Sequence, residues 1–161
     1  MSERPSPPSG PLGPLLTPIA RRYGFSACWA CGPDNPRGLH LDFRRDGAGV
    51  VCVHTPPSEL AGYGTILHGG VTSTLLDEAM VWAIYGSVER LSMTIELNVR
   101  FHAPVRCGVP LTLTGWMIGS DRRHATARAA ISNASGSVCA SGEGQLRFLS
   151  AEAAMRLAAG E

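Results

Sequence analysis

Two adjacent carboxylates, Asp77 and Glu78, interrupt an apolar run from Val71 to Tyr85, and His68-Gly69-Gly70 leads straight into that run. An aspartate with a reference pKa near 3.9 is a poor base in bulk water, but partial burial raises that value and improves it. Paired glycines at the start of a helix let a ligand approach bare backbone. The first N–H groups of a helix lack internal acceptors and carry the positive end of its dipole. A carbonyl gaining negative charge is stabilised there, and losing one such donor typically costs about 3 kcal/mol in a transition state. A carbonyl polariser and a base or nucleophile are what acyl transfer to water requires. No Gly-x-Ser-x-Gly elbow is present, so a serine-hydrolase mechanism has no support.

Two further groupings carry chemistry. Cys28-Trp29-Ala30-Cys31-Gly32 has the spacing of half a zinc site, but no second pair follows. His40 and His54 do not complete a known zinc spacing and no thioredoxin-like unit surrounds the pair, so neither metal nor redox chemistry is expected. Arg122-Arg123-His124 follows the Gly119 to Asp121 turn, a cationic position able to meet phosphates. Arg90 and Arg100 are weaker candidates for that role. Trp82, Tyr85 and Trp116 are candidates to line an apolar pocket, although large aromatics on such elements are more often core.

The elements that position these groups follow from periodicity. Val71 to Tyr85 lacks proline and is bracketed by Gly69-Gly70 and Gly86. Its apolar residues point in nearly every direction at about 100° per residue, the pattern of a buried helix. Asp77 and Glu78 point about 100° apart, so one cavity is expected to use only one of them fully. Met93 to Phe101 alternates apolar and polar without a miss, a strand with one buried face. Leu39 to Phe43 and Ala125 to Ile131 alternate likewise, and Val50 to His54, Leu111 to Ile118 and Val138 to Leu149 also read as strands. Asp46-Gly47, Gly119 to Asp121 and Asn133 to Gly136 are turn signals that make neighbours antiparallel. One buried helix with five or six such strands predicts an α+β fold, a curved antiparallel sheet wrapped around the helix. Ala151 to Ala159 reads as a short surface helix.

Composition bounds the rest. The chain has 161 residues, 17% of them charged, and a net charge of +1, so no broad field draws nucleic acid or an anionic membrane. No apolar run reaches the ~20 residues of a spanning helix, and the prolines of the first residues do not suit a signal peptide. Five cysteines, an odd number, do not make a secreted disulfide framework, so a cytoplasmic location is expected. Residues 1–24 read as a flexible proline-rich tail, residues 25–150 as one domain, and residues 151–161 as a short helical end.

The stretch GTILHGGVTSTLLDEA, followed by TIELNVRFHAPV, resembles the hotdog-fold acyl-CoA thioesterases of the PaaI type. The resemblance runs from about Leu39 to Leu149 and implies hydrolysis of an acyl- or aryl-CoA thioester. It selects Asp77, nine residues after His68, as general base or nucleophile. It implies that the Gly69 N–H polarises the carbonyl, that Gly70 permits close approach, and that Thr94 helps hold the water. Gly62 stands where the family commonly has Asn or Gln, which leaves the second carbonyl contact to His68 or an ordered water. Arg122 and Arg123 match the family's Gly-Arg-Arg-like position, a candidate coenzyme A phosphate contact. Residues Cys28 to Leu39 resemble a segment that precedes the first strand in some of these enzymes, packing over the dimer or the pocket mouth. No metal or separate cofactor is implied. The expected assembly is a homodimer, or a dimer of dimers, with Asp77 reaching a site on the other subunit. The alternatives are an acyl-CoA-binding hotdog module without catalysis and a hotdog hydratase or dehydratase.

Overall fold

The computed structural model describes residues 17–20 and 26–159. The elements are β1 (Thr17–Pro18), β2 (Arg44–Asp46), β3 (Gly49–His54), a 3-10 turn (Ser58–Leu60), β4 (Ala61–Tyr63), β5 (Ile66–Leu67) and α1 (Gly69–Val88). They continue with β6 (Ser92–Phe101), β7 (Leu111–Ser120), β8 (His124–Ser132), β9 (Val138–Phe148) and α2 (Ala151–Ala159). Seven strands form one antiparallel sheet in the order β1-β2-β3-β7-β8-β9-β6, and β4 pairs with β5 in a small ribbon. The five long strands, β3 and β6 to β9, are all among those read from the sequence, and the sheet wraps one central helix as expected. No helix among the described residues is long and apolar enough to cross a membrane.

Four local expectations change. β6 forms over Met93 to Phe101, but Met93, Ile95 and Phe101 are exposed while Thr94 faces α1, with a register shift between Thr94 and Glu96. Leu39 to Phe43 buries Leu39, Leu41 and Phe43 as the alternation requires, yet it joins no ladder. Its N–H groups go elsewhere, Leu39 to Trp29 O and Leu41 to Ala30 O, and His40 between them has φ +51°. The helix does not stop at Gly86 but runs to Val88 and ends on Glu89 in the left-handed region, whose N–H bonds to Tyr85 O. Gly86 is instead a packing position, where a Cβ would lie 3.3 Å from Ile19 and 3.4 Å from Val50. Of the expected tail, Thr17 and Pro18 pair with β2, and Ile19 is buried. Ala20 O accepts the Tyr85 hydroxyl at 3.1 Å. The remainder of that tail, residues 1–16 and 21–24, lies outside the described residues, as does residue 25.

α1 is buried on most of its circumference because the sheet beneath it is surfaced with small residues. Ala125, Ala127, Ala129, Gly142 and Gly144 turn inward from β8 and β9, with Leu113, Ile131 and Leu146 filling the flanks. The closest approach is at Gly115 of β7, where an added Cβ would sit 2.1 Å from Ala79 O. Only hydrogen fits between strand and helix there. Gly115→Ala therefore forces α1 off the sheet and is expected to lower stability by about 1–3 kcal/mol in denaturant titration. Gly142→Ala, whose Cβ would make contacts of 3.4 Å and longer, serves as the tolerated control.

Candidate active site

The start of α1 is built around His68. Leu67 is buried and its N–H bonds Val105 O at 2.8 Å, which anchors the loop. His68 is the N-cap, and its Nδ1 accepts the Gly70 N–H at 3.0 Å. A Cβ at Gly70 would come 3.1 Å from that nitrogen, so the second glycine makes room for the cap. Thr72, Ser73 and Thr74 each turn their hydroxyls back onto His68 O, Gly69 O and Gly70 O. Gly69, the first helical residue, has no acceptor within the helix for its N–H. His68, Gly69 and Gly70 are exposed. A side chain at Gly62 would face the His68 ring, 3.6 Å from Cδ2.

Two turns deeper, Asp77 is half-buried, and its Oδ1 accepts the Thr94 hydroxyl of β6 at 2.7 Å. Burial pushes the carboxyl above its ordinary range, while the Thr94 bond favours the charged form and pulls it back. Asp77 lines a cavity of about 330 Å³ with Glu78, Val81, Trp82, Tyr85, Thr94 and the two cysteines of the Cys28–Cys31 pair. Glu78 thus lines the same cavity as Asp77, although the two point about 100° apart. The reason lies in helical phase. At about 100° per residue, Val81 and Tyr85 fall between the two acids on the helix surface, so a cavity above them is flanked by both.

Glu78 has different partners from Asp77. Burial raises its pKa most, a hydrogen bond from Cys31 lowers it, and the neighbouring Asp77 charge raises it. Cys28 Sγ lies 3.9 Å from Oε1, and Oε2 is buried with no hydrogen-bond partner. Burial first, then the Glu78 charge, pushes the Cys31 thiol well above the ordinary range. Trp82 and Tyr85 line the cavity as expected, in edge contact with ring centroids 5.7 Å apart. Trp116 does not. It lines a groove on the opposite face of the sheet with Arg100 and Arg128.

Arg122 and Arg123 lie on the β7–β8 turn, shaped by Asp121, whose Oδ1 accepts the Arg123 and His124 N–H groups. These bonds hold the Asp121 carboxyl below its usual range. Arg90 lies 3.9 Å over the Phe148 ring and donates to Arg122 O at 3.3 Å, so the Arg90 guanidinium reaches this turn. Ser92, two residues after Arg90, is on the cavity wall. The structure therefore brings together Asp77 and Thr94 and groups His68, Gly69, Gly70 and Gly62 separately. Gly69 and Asp77 are eight residues apart on one helix, roughly 12 Å along its axis. Cys28, Cys31 and Glu78 are additional cavity residues, each visible in sequence but not as neighbours.

Residues 64–140 match the family described as Thioesterase superfamily. A Schizosaccharomyces pombe protein described as uncharacterized is 34% identical over 64 residues, 39% of this chain and 37% of its own length. The thioesterase superfamily protein RHA08564 superposes with a TM-score of 0.66 at 32% identity, covering 74% of this chain and 61% of that one. This chain thus spans less than two thirds of either protein. The Escherichia coli PaaI protein from the phenylacetic acid degradation operon has the same fold, with a TM-score of 0.64 at 19% identity over 70% of this chain and 81% of that one. So does a Streptococcus mutans protein bound to acetyl CoA, with a TM-score of 0.61 at 15% identity over 68% and 88%. With a sheet-wrapped helix, a His-Gly-Gly start and a half-buried aspartate, this chain has the hotdog fold, and its residues 64–140 match the thioesterase superfamily.

Proposed function

We propose that this protein hydrolyses the thioester of an acyl- or aryl-CoA, with Asp77 as general base or nucleophile and the Gly69 N–H as carbonyl polariser. The observation that carries this reading is the Asp77–Thr94 hydrogen bond at the wall of an apolar cavity. A carboxylate oriented by a strand hydroxyl and partly removed from water is suited to activate or deliver an attacking oxygen. Trp82, Tyr85 and Val81 would meet the acyl or aryl group. Arg122 and Arg123, with Arg90, would meet the phosphates of coenzyme A, a ligand class the acetyl CoA-bound neighbour supports. His68 has Nδ1 engaged as a cap, which leaves its other ring nitrogen for the carbonyl.

One chain does not suffice for this chemistry. A reacting carbonyl must lie about 3 Å from both the donor and the attacking group, whereas Gly69 and Asp77 of one helix are roughly 12 Å apart. The reading therefore takes the polarising N–H from Gly69 of a second protomer. β6 ends the sheet order and exposes Met93, Ile95 and Phe101 at 57, 55 and 55%, an apolar edge suited to another copy. A non-catalytic acyl-CoA binder leaves the oriented Asp77 without a task. A hydratase pairs a catalytic histidine with its acid, and here His68 and Asp77 lie nine residues apart on the same cap and helix.

Free-thiol release across aryl, short, medium and long acyl-CoAs, run beside enoyl-CoA hydration, tests the class of reaction. Thiol release without hydration is expected. Asp77→Asn is expected to fold and to lose at least about 100-fold in kcat, and near-wild-type turnover would remove Asp77 from the mechanism. Thr94→Val is expected to lower kcat about tenfold, the worth of one hydrogen bond to a charged group.

Gly69→Pro removes the polarising N–H at a first helical position that tolerates proline, and a loss of about 100- to 1,000-fold is expected. Mixed Asp77→Asn and Gly69→Pro chains, dissociated and reassociated, should recover about a quarter of wild-type activity, because half the dimers then hold one intact site of two. No recovery on mixing would place both groups in one chain or remove one of them.

A further inference from the structure

The Cys28-Trp29-Ala30-Cys31-Gly32 turn is built more exactingly than a loop that merely covers a pocket. Gly32 N–H bonds Cys28 O at 2.9 Å, and Asp34 N–H bonds Ser26 O at 2.9 Å, which curls residues 26–34 into a tight knuckle. A Cβ at Gly32 would lie 2.4 Å from Ser26 O and 2.5 Å from the Cys28 backbone, so glycine is obligatory after the second cysteine. Cys31 N–H points at Cys28 Sγ, 3.5 Å away, a contact that favours a thiolate. Both sulfurs then face Glu78 of α1, and the two Sγ atoms and a Glu78 oxygen all lie within 4.8 Å of one another.

We propose that Cys28, Cys31 and Glu78 form a binding site for one zinc ion, which clamps the knuckle onto α1 at the wall of the Asp77 cavity. Zinc bonds of about 2.3 Å to sulfur and 2.0–2.2 Å to oxygen put tetrahedral ligands about 3.8 Å apart for two sulfurs and about 3.5 Å for sulfur and oxygen. The observed Cys28 Sγ to Glu78 Oε1 distance is 3.9 Å, so the ligand atoms need to close by a few tenths of an ångström on that side. Two thiolates and one carboxylate select a thiophilic divalent ion over magnesium or calcium. Three protein ligands leave a fourth tetrahedral position for water, and the cavity lies on that side, since all three residues line it. Glu78 Oε2, buried and without a hydrogen-bond partner, is an acceptor that such a bound water would satisfy. His40 and His54 do not enter the cluster. His40 Nδ1 is 3.1 Å from Gly32 O.

The site is tested on the full chain, purified under reductant, stripped with chelator and reloaded with zinc or cobalt(II). One metal per chain is expected. Cobalt should give a thiolate-to-metal charge-transfer band with tetrahedral ligand-field absorption, and zinc should raise Tm in a concentration-dependent way. Cys28→Ser should abolish the band and Glu78→Gln should weaken zinc binding by at least tenfold, while Cys107→Ser leaves both unchanged. Circular dichroism reports whether each variant stays folded, and Glu78→Gln, isosteric, keeps the test open should Cys28→Ser unfold. Absence of uptake under reductant, uptake with no thiolate band, or equal uptake by wild type, Cys28→Ser and Glu78→Gln would overturn the proposal. None of these readouts depends on thioester turnover, so the site and the proposed hydrolysis stand or fall separately.

Discussion

The contact between Gly115 of β7 and the backbone of Ala79 sets the geometry of everything around it. Strand and helix meet there with only a hydrogen between them. Met80 fills the next gap, its sulfur and methyl against Gly144, and Leu76 lies over Gly142. These contacts fix both the depth of α1 and its rotation about its own axis. With Ala79, Met80 and Leu76 turned onto the sheet, Asp77 and Glu78 are carried to the far side, where burial is partial rather than complete. The cost of holding a carboxylate out of water is thereby borne by packing elsewhere on the same helix. A helix rotated by one residue would bury an acid against β7 or β9, among alanines and glycines that offer it no hydrogen bond.

The same rotation places the two acids on opposite flanks of one cavity and gives them different neighbours. Asp77 faces β6 and receives a hydroxyl that stabilises its charged form. Glu78 faces the Cys28–Cys31 turn, with two thiols and a tryptophan around it. Burial acts on both in the same direction, so their partners decide what each can do. An oxygen acceptor beside a hydroxyl donor is suited to acid–base work. An oxygen acceptor beside two sulfurs is suited to ligate a thiophilic metal ion. Adjacent residues of one sequence therefore acquire separate chemistry from the elements that pack on either side of the helix.

Much of this was legible in the chain, and the parts that were not share a cause. The all-round apolar helix is buried as read, and Met93 to Phe101 is a strand as read. Its apolar Met93, Ile95 and Phe101 are nonetheless exposed, because the strand edge and a register shift, neither visible in alternation, decide which face is covered. The family resemblance named Asp77 and Thr94 separately, Thr94 as a holder of the water, and the hydrogen bond between the two emerges only in the structure. Leu39 to Phe43 misled because alternation reports which side chains are buried, not where the N–H groups go. Those of Leu39 and Leu41 go to the preceding turn. Gly86 misled because a glycine that makes room for Ile19 and Val50 looks the same in sequence as one that ends a helix. Glu78 beside Cys28 and Cys31 joins positions fifty residues apart, and no periodicity spans that distance.

β6 explains why a shared site between protomers suits this chain. Its alternation sends Thr94 toward Asp77 and sends Met93 and Ile95 outward, both more than half exposed. The register shift between Thr94 and Glu96 falls at this point of the β6–β9 ladder, where the strand must serve both faces. Because β6 is the last strand of the sheet among the described residues, none of them pairs with its outer backbone edge along the stretch that positions the carboxylate. Phe101, near the other end of the same strand, lies against Gly69. One strand thus touches Asp77 at its start and the helix N-terminus at its end. If a second copy lies antiparallel along that edge, each β6 start meets the other's β6 end. The antiparallel pairing that closes the edge then also carries each Gly69 toward the opposite Asp77, so closing the sheet and completing the site are one event.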